Sequence, residues 1–292
     1  MKKLPVWWNL ARGEHSIMTF LAIVAAAIVS TGKFSPNYLF FAAGPALIVL
    51  GSFIFNDYLD LPSDMALARK DRPLVSKQIS PKAALYASAA LFGAGLALCL
   101  HVSTIAFHIA LFYSALSIAY SFYLKKVPLV GNAVVATTYA ISFAYGNAVA
   151  INSLNPYSLN LLAMSFAAFA FLAGLGRELL ITLRDVEGDK KIGALTLPMV
   201  VGASATTALA SVLFLIAAFL TIIPIAGGML SGISLLVYAL LVGACDVLLL
   251  YSAYLSLRDS SKASLSKIRN YTLKAFQLAL VGFFVVAMLK LV

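Results

Sequence analysis

Residues 38–64 read YLFFAAGPALIVLGSFIFNDYLDLPSD. The first part, Tyr38–Phe55, is an uninterrupted apolar run close to the ~20 residues that a helix needs to cross a bilayer. It passes straight into a cluster of hard oxygen ligands: Asn56, Asp57, Asp60 and Asp64. Carboxylates beside a membrane span are costly, so such a cluster points to function.

Outward from this stretch the same alternation of apolar runs and short polar loops fills the chain. Of 292 residues 62% are hydrophobic and 11% charged, against about 25% charged in a soluble domain. A membrane β-barrel would show ~10-residue segments of alternating polarity, and these runs do not alternate. Hydropathy predicts nine spans: Ser16–Thr31, Tyr38–Phe55, Ala83–Leu100, Thr104–Tyr123, Val130–Ile151, Leu159–Leu183, Ala203–Ile223, Leu230–Tyr254 and Tyr271–Leu289. Pro128, Pro156, Pro198 and Pro224 fall between them, where a missing backbone donor costs least. The short basic segment before the first span lacks a small-residue cleavage site, so no removable signal peptide is expected. Cys99 and Cys245 lie inside apolar runs and read as buried thiols without metal-ligand spacing.

Charge sets the expected orientation. Of the 21 Lys and Arg, all but Lys33 and Lys290 fall on one face of the nine-span arrangement, from Lys2 and Lys3 onwards. The positive-inside rule makes that face cytoplasmic, with the N-terminus inside and the C-terminus outside. The net charge of +10 is therefore a topology signal divided among short loops. Nucleic-acid binding is a poor reading of it, and contact with membrane lipids a generic one.

The chain has only 11 Asp and Glu, and they are concentrated. Asp57, Asp60, Asp64 and Asp71 follow the second span; Glu178, Asp185, Glu187 and Asp189 cluster at the end of the sixth. Helical spacing puts Asn56, Asp60 and Asp64 on one stripe, and Glu178, Thr182, Asp185 and Asp189 on another. Pro62 is expected to break or kink the first stripe and leave Asp64 in a loop. Stacked carboxylates suit Mg²⁺, which takes one or two of them together with waters and substrate phosphates. Arg69, Arg72, Lys125, Lys126 and Lys190 flank the clusters, as a diphosphate ligand requires.

At these residues the chain resembles the UbiA family of intramembrane prenyltransferases. Asn56, Asp57, Asp60 and Asp64, trailed by Arg72-Pro73, match its first signature, and Asp185 with Asp189 its second. Tyr120-Ser121, Leu124-Lys125-Lys126 and Gly131-Asn132 resemble a third landmark. One departure stands out: many relatives carry a further Asp three residues before the second signature, where this chain has Thr182. Glu178 is the compensating carboxylate on the same stripe. Within the family, Gly176-Arg177-Glu178 and the 185–191 run look most like archaeal digeranylgeranylglyceryl phosphate synthases.

The resemblance implies an all-α membrane protein, with nine helices around a central cavity in two four-helix halves plus a ninth helix. The whole chain, 1–292, forms one such domain. It implies Mg²⁺-dependent transfer of a geranylgeranyl group from its diphosphate to geranylgeranylglyceryl phosphate, with no obligate protein partner. Asn56, Asp57, Asp60, Asp64, Asp185 and Asp189 would hold metal, with Asp60, Asp64 and Asp185 counted as catalytic. Arg12, Arg69, Arg72, Lys125, Lys126, Lys190, Asn132 and Tyr120 would bind substrate. Arg12, His15 and Lys126 are the candidates for the acceptor phosphate. The alternatives are an aromatic acceptor on the same fold and, from another class, a cation transporter. Transporters place their ion sites at the midplane, whereas both clusters lie at one face. A CDP-alcohol phosphotransferase would need an Asp-Gly-x-x-Ala-Arg pattern that is missing.

Overall fold

A computed structural model describes residues 4–155, 158–191 and 193–291. Lys2, Lys3 and Pro156 lie outside the described residues. The elements, in order, are α1 (Leu4–Ala11), α2 (Gly13–Thr31), α3 (Asn37–Ala66), α4 (Pro81–Val102), α5 (Thr104–Phe122), a 3₁₀ turn (Leu124–Lys126), α6 (Val130–Ala150), α7 (Leu161–Lys191), α8 (Leu197–Leu220), α9 (Ile223–Ala226), α10 (Gly232–Arg258) and α11 (Lys262–Leu289). Among the described residues nine stretches are long and apolar enough to cross a membrane, with α8 and α9 counted together. Helices α2–α5 form one half, α6, α7, α8 and α10 the other, and α11 packs on α10 and α7 before closing back on α2.

The expected spans appear, with corrections at their ends. The first stripe is not broken at Pro62: α3 runs on through both Pro45 and Pro62 to Ala66. A proline removes one backbone donor, and α3 carries on through that single missing bond. Asp64 is therefore helical. Helix α7 continues past Leu183 to Lys191, and α11 begins at Lys262, before Tyr271. Pro198 sits in the first turn of α8, where a proline is tolerated. Gly202 (φ 83°, ψ 168°) kinks that helix just before Ala203, so the straight part starts where hydropathy placed it. The segment before the first span folds as a separate helix, α1, whose buried Leu10 packs with Ile54, Leu74 and Ile79.

Lipid gives helices no hydrophobic reason to associate, so close packing and cross-helix hydrogen bonds hold membrane bundles together. Small residues carry both here. A Cβ on Gly146 of α6 would meet the Ile23 carbonyl of α2 at 2.5 Å, and one on Gly95 of α4 would meet the Gly44 carbonyl of α3 at 2.7 Å. Ser16 Oγ donates to the Ala46 carbonyl (2.8 Å) and Ser88 Oγ to the Gly51 carbonyl (2.9 Å). Below the centre an aromatic cluster closes the bundle, with Phe166 and Phe283 ring centroids 4.3 Å apart.

Helix α3 has 30 residues and α7 has 31. At 1.5 Å per residue each is about 45 Å long, well beyond the ~30 Å hydrocarbon core. Their polar last turns thus project from the bilayer on one side, and they carry the acidic clusters.

Candidate active site

Both clusters open onto a single cavity of about 1290 Å³. A pocket for one small ligand occupies ~300–1000 Å³, so there is room for more than one substrate. The cavity's mouth is polar, and its depth is walled by apolar side chains such as Ile23, Ile48, Phe143 and Phe169.

The α3 wall is tightly paired. Asp57 is 4% exposed. Arg72 Nη1 donates to both its carboxylate oxygens, at 2.9 and 3.1 Å, and Arg12 Nη2 to one of them at 3.3 Å. Arg12 reaches it because the α1–α2 junction takes a left-handed conformation there (φ 48°, ψ 57°), uncommon for a residue with a Cβ. Its guanidinium also lies 4.6 Å over the Phe53 ring. Asp64 accepts from Arg69 Nη1 at 3.4 Å, with Arg72 Nε 3.7 Å away. Asp60 is ion-paired with Lys125 and accepts from Asn56 Nδ2 at 2.9 Å. Asn56 Oδ1 is left buried without a partner.

Lys125 comes from the 3₁₀ turn between α5 and α6. That turn lies flat on the start of α6 because residue 131 is glycine. A Cβ there would stand 2.9 Å from the Leu124 carbonyl and 3.0 Å from Lys125 Cα.

The α7 wall is organised differently. Arg184 grips Asp185 with Nε and Nη2, at 2.8 and 2.6 Å. The Asp189 carboxylate has no ion pair or hydrogen bond among the described residues, while its backbone carbonyl accepts from Ala194 N–H at 3.0 Å. One turn deeper than Thr182, the Glu178 carboxylate is held by Arg177 (2.8 Å) and by the Tyr139 hydroxyl (3.2 Å). It lines the same cavity as Asp185 and Asp189, engaged by Arg177 and Tyr139. Thr182 donates to the Glu178 carbonyl (2.8 Å) and accepts from Asn132 Nδ2 (2.7 Å). No three carboxylate, histidine or cysteine side chains among the described residues converge enough to hold a metal unaided.

The cavity brings together Asn56, Asp57, Asp60, Asp64, Asp185 and Asp189 with Arg12, Arg69, Arg72, Lys125, Lys126, Asn132 and Tyr120. Lys190 does not line it; its neighbour Lys191 does. His15 lies on the wall, edge-on to Phe53 with centroids 5.1 Å apart. Sequence reading took Arg177 as part of a family motif and counted Arg184, Lys262 and Arg269 with the topology charges; all four line the cavity. Only the adjacency of Arg184 to Asp185 signalled this beforehand.

Known proteins resemble this chain in sequence and in fold. The model of the UbiA prenyltransferase family matches residues 17–286. A digeranylgeranylglyceryl phosphate synthase of Archaeoglobus fulgidus is 33% identical across 96% of this chain and 94% of its own. That of Methanosphaera stadtmanae is 30% identical, over 94% and 96%. A solved structure of digeranylgeranylglyceryl phosphate synthase, 24% identical, superposes with a TM-score of 0.74 over 99% of both chains. A UbiA homolog from Archaeoglobus fulgidus bound to GPP and Mg²⁺, 17% identical, gives 0.65 over 98% and 99%.

Proposed function

We propose, from the premise that the chain belongs to the UbiA prenyltransferase family, that it transfers a geranylgeranyl group from geranylgeranyl diphosphate to geranylgeranylglyceryl phosphate. The product carries the second ether bond of an archaeal lipid. The observation that carries the reading is the shared cavity of about 1290 Å³: two carboxylate walls and their basic partners, together with an apolar lining. The synthases that match this chain over nearly their whole length favour that acceptor. The positive-inside rule puts the mouth on the cytoplasmic side.

The donor set fits Mg²⁺. Asn56 Oδ1 is a buried acceptor without a partner, Asp189 is unpaired, and the carboxylates stand on facing walls where a diphosphate would complete the coordination. Asn56, Asp60, Asp64, Asp185 and Asp189 would hold the metal, while Asp57 orients Arg12 and Arg72. When bound, Mg²⁺ offsets the negative charge that develops on the departing diphosphate.

Arg69, Arg72, Lys125 and Lys126 hold the diphosphate by charge-assisted hydrogen bonds that strengthen as the bond from its oxygen to the allylic carbon breaks and that oxygen keeps the electron pair. The apolar walls keep water from the cation left behind. The acceptor hydroxyl oxygen then bonds to that carbon, and its proton passes to the freed diphosphate.

Replacing Asp60 or Asp185 with Ala should abolish transfer while the protein stays folded; near-normal turnover would sink the reading. Mass detection of products from competing acceptors decides the rest. Transfer to an aromatic acceptor in preference to the lipid phosphate would replace this acceptor assignment.

A further inference from the structure

One face of α11 lines the cavity from end to end. Lys262, Ser266 and Arg269 stand at the mouth, and Phe276, Ala279 and Leu280 continue the stripe into the apolar depth. Lys267 and Lys274 lie on the same helix but do not line the cavity. The two basic residues turned inward are thus set apart from those that only mark the cytoplasmic side of a span.

These charges are not neutralised as other basic side chains of the cavity are. Arg12 is taken up by Asp57 and Arg177 by Glu178. Neither Lys262 nor Arg269 has an ion-pair partner among the described residues. The charges that reach Arg269 come from Arg184, Arg177 and Arg12, opposed by Asp185. Asp185 is itself already gripped by two nitrogens of Arg184. Like charges gathered at the rim of an apolar cavity repel unless an anion lies among them. The proposed diphosphate ligands come from the loop after α3 and from the 3₁₀ turn, on a different wall.

We propose that Lys262 and Arg269, beside the Arg184–Asp185 pair, form a second anion site, which takes the phosphomonoester of the acceptor lipid while the α11 stripe below guides its chain. This inference rests on the proposed function and adds to it where the acceptor's head is held. It moves the acceptor phosphate away from Arg12 and Lys126, which the donor wall already employs. Arg184 and Asp185 are neighbours on α7, so their ion pair joins the two head sites and fixes how far apart they stand.

The test is steady-state kinetics on the full-length protein in nanodiscs. Arg269→Gln should raise KM for geranylgeranylglyceryl phosphate about tenfold, a loss of ~1.4 kcal/mol, and leave KM for the donor within about twofold. Arg269→Lys should recover part of the loss. With the unphosphorylated alcohol as acceptor the same substitution should cost nothing. An equal penalty on both acceptors, a rise in donor KM instead, or no change overturns the site. So does added anionic bilayer lipid that competes equally with the acceptor in wild type and variant, which would assign the cluster to headgroups. If no lipid phosphate is turned over at all, the proposed function fails and a separate measurement decides the site. With the donor wall filled by Mg²⁺ and inorganic diphosphate, inorganic phosphate should raise the Tm of the wild type and not that of R269Q. Equal protection of both overturns it.

Discussion

Asn132 Nδ2 donates to Thr182 Oγ1 at 2.7 Å and ties α6 to α7 at the position where many relatives carry a carboxylate. The threonine is engaged as a structural acceptor, and its own hydroxyl proton goes to the Glu178 carbonyl. Thr182→Val removes the acceptor and should lower stability by about 0.6 kcal/mol, the average for such a bond within a membrane bundle. Thermal unfolding in detergent reads that loss, and a Mg²⁺ titration of activity should be unmoved within about twofold. A large rise in the Mg²⁺ requirement would make Thr182 a ligand.

Arg72 reaches both oxygens of Asp57 and comes near Asp64, which a planar fork of donors does and a point charge does not. Arg72→Lys should lower kcat/KM for the donor about tenfold, ~1.4 kcal/mol of transition-state stabilisation. Asp57→Asn should cost more in stability, because it strips two guanidiniums of their partner at once. Donor kinetics and thermal unfolding separate the two effects.

The turn that presents Lys125 depends on the missing side chain at Gly131. Gly131→Ala sets a methyl group against the Leu124 carbonyl and should push Lys125 away from Asp60. Turnover is expected to fall about tenfold, with a small change in Tm. Lys125→Gln in the Gly131→Ala background should then add little, since the ammonium has already left its place.

At the α2–α6 crossing, Gly146 faces a backbone carbonyl that has no rotamer to yield. Gly146→Val should destabilise the whole bundle by about 1–3 kcal/mol, read as a lower Tm and a loss of folded yield. Gly93, with open space around it, is the control: Gly93→Ala should be neutral or mildly stabilising through helix propensity.

Hydropathy reveals where the chain meets lipid, so the middles of all nine spans could be read from the sequence. It is silent on helical turns outside the lipid, and this is why the last turns of α3 and α7 and the first turns of α11 escaped it. Pro62 looked like a stop because a lost backbone donor is legible, whereas one missing bond in a 30-residue helix does not end it. The carboxylate clusters stood out because acids are rare in this chain. Arg269 did not, since it shares composition and loop position with Lys267, and only the helix's rotation tells which one faces the cavity. The pairing of Arg12 with Asp57 depends on one left-handed residue between α1 and α2, which nothing in the local sequence requires.

The projection of α3 and α7 beyond the bilayer has a thermodynamic consequence for turnover. Under the proposed reaction the two products belong to different phases: diphosphate dissolves in water, and the doubly alkylated lipid dissolves in the membrane. A reaction centre set at the boundary lets each product leave by partitioning, in opposite directions, without exchanging places within the cavity. Such separation opposes reversal. It predicts that diphosphate accumulating in the aqueous phase, and not the lipid product diluted in the bilayer, will be the effective product inhibitor.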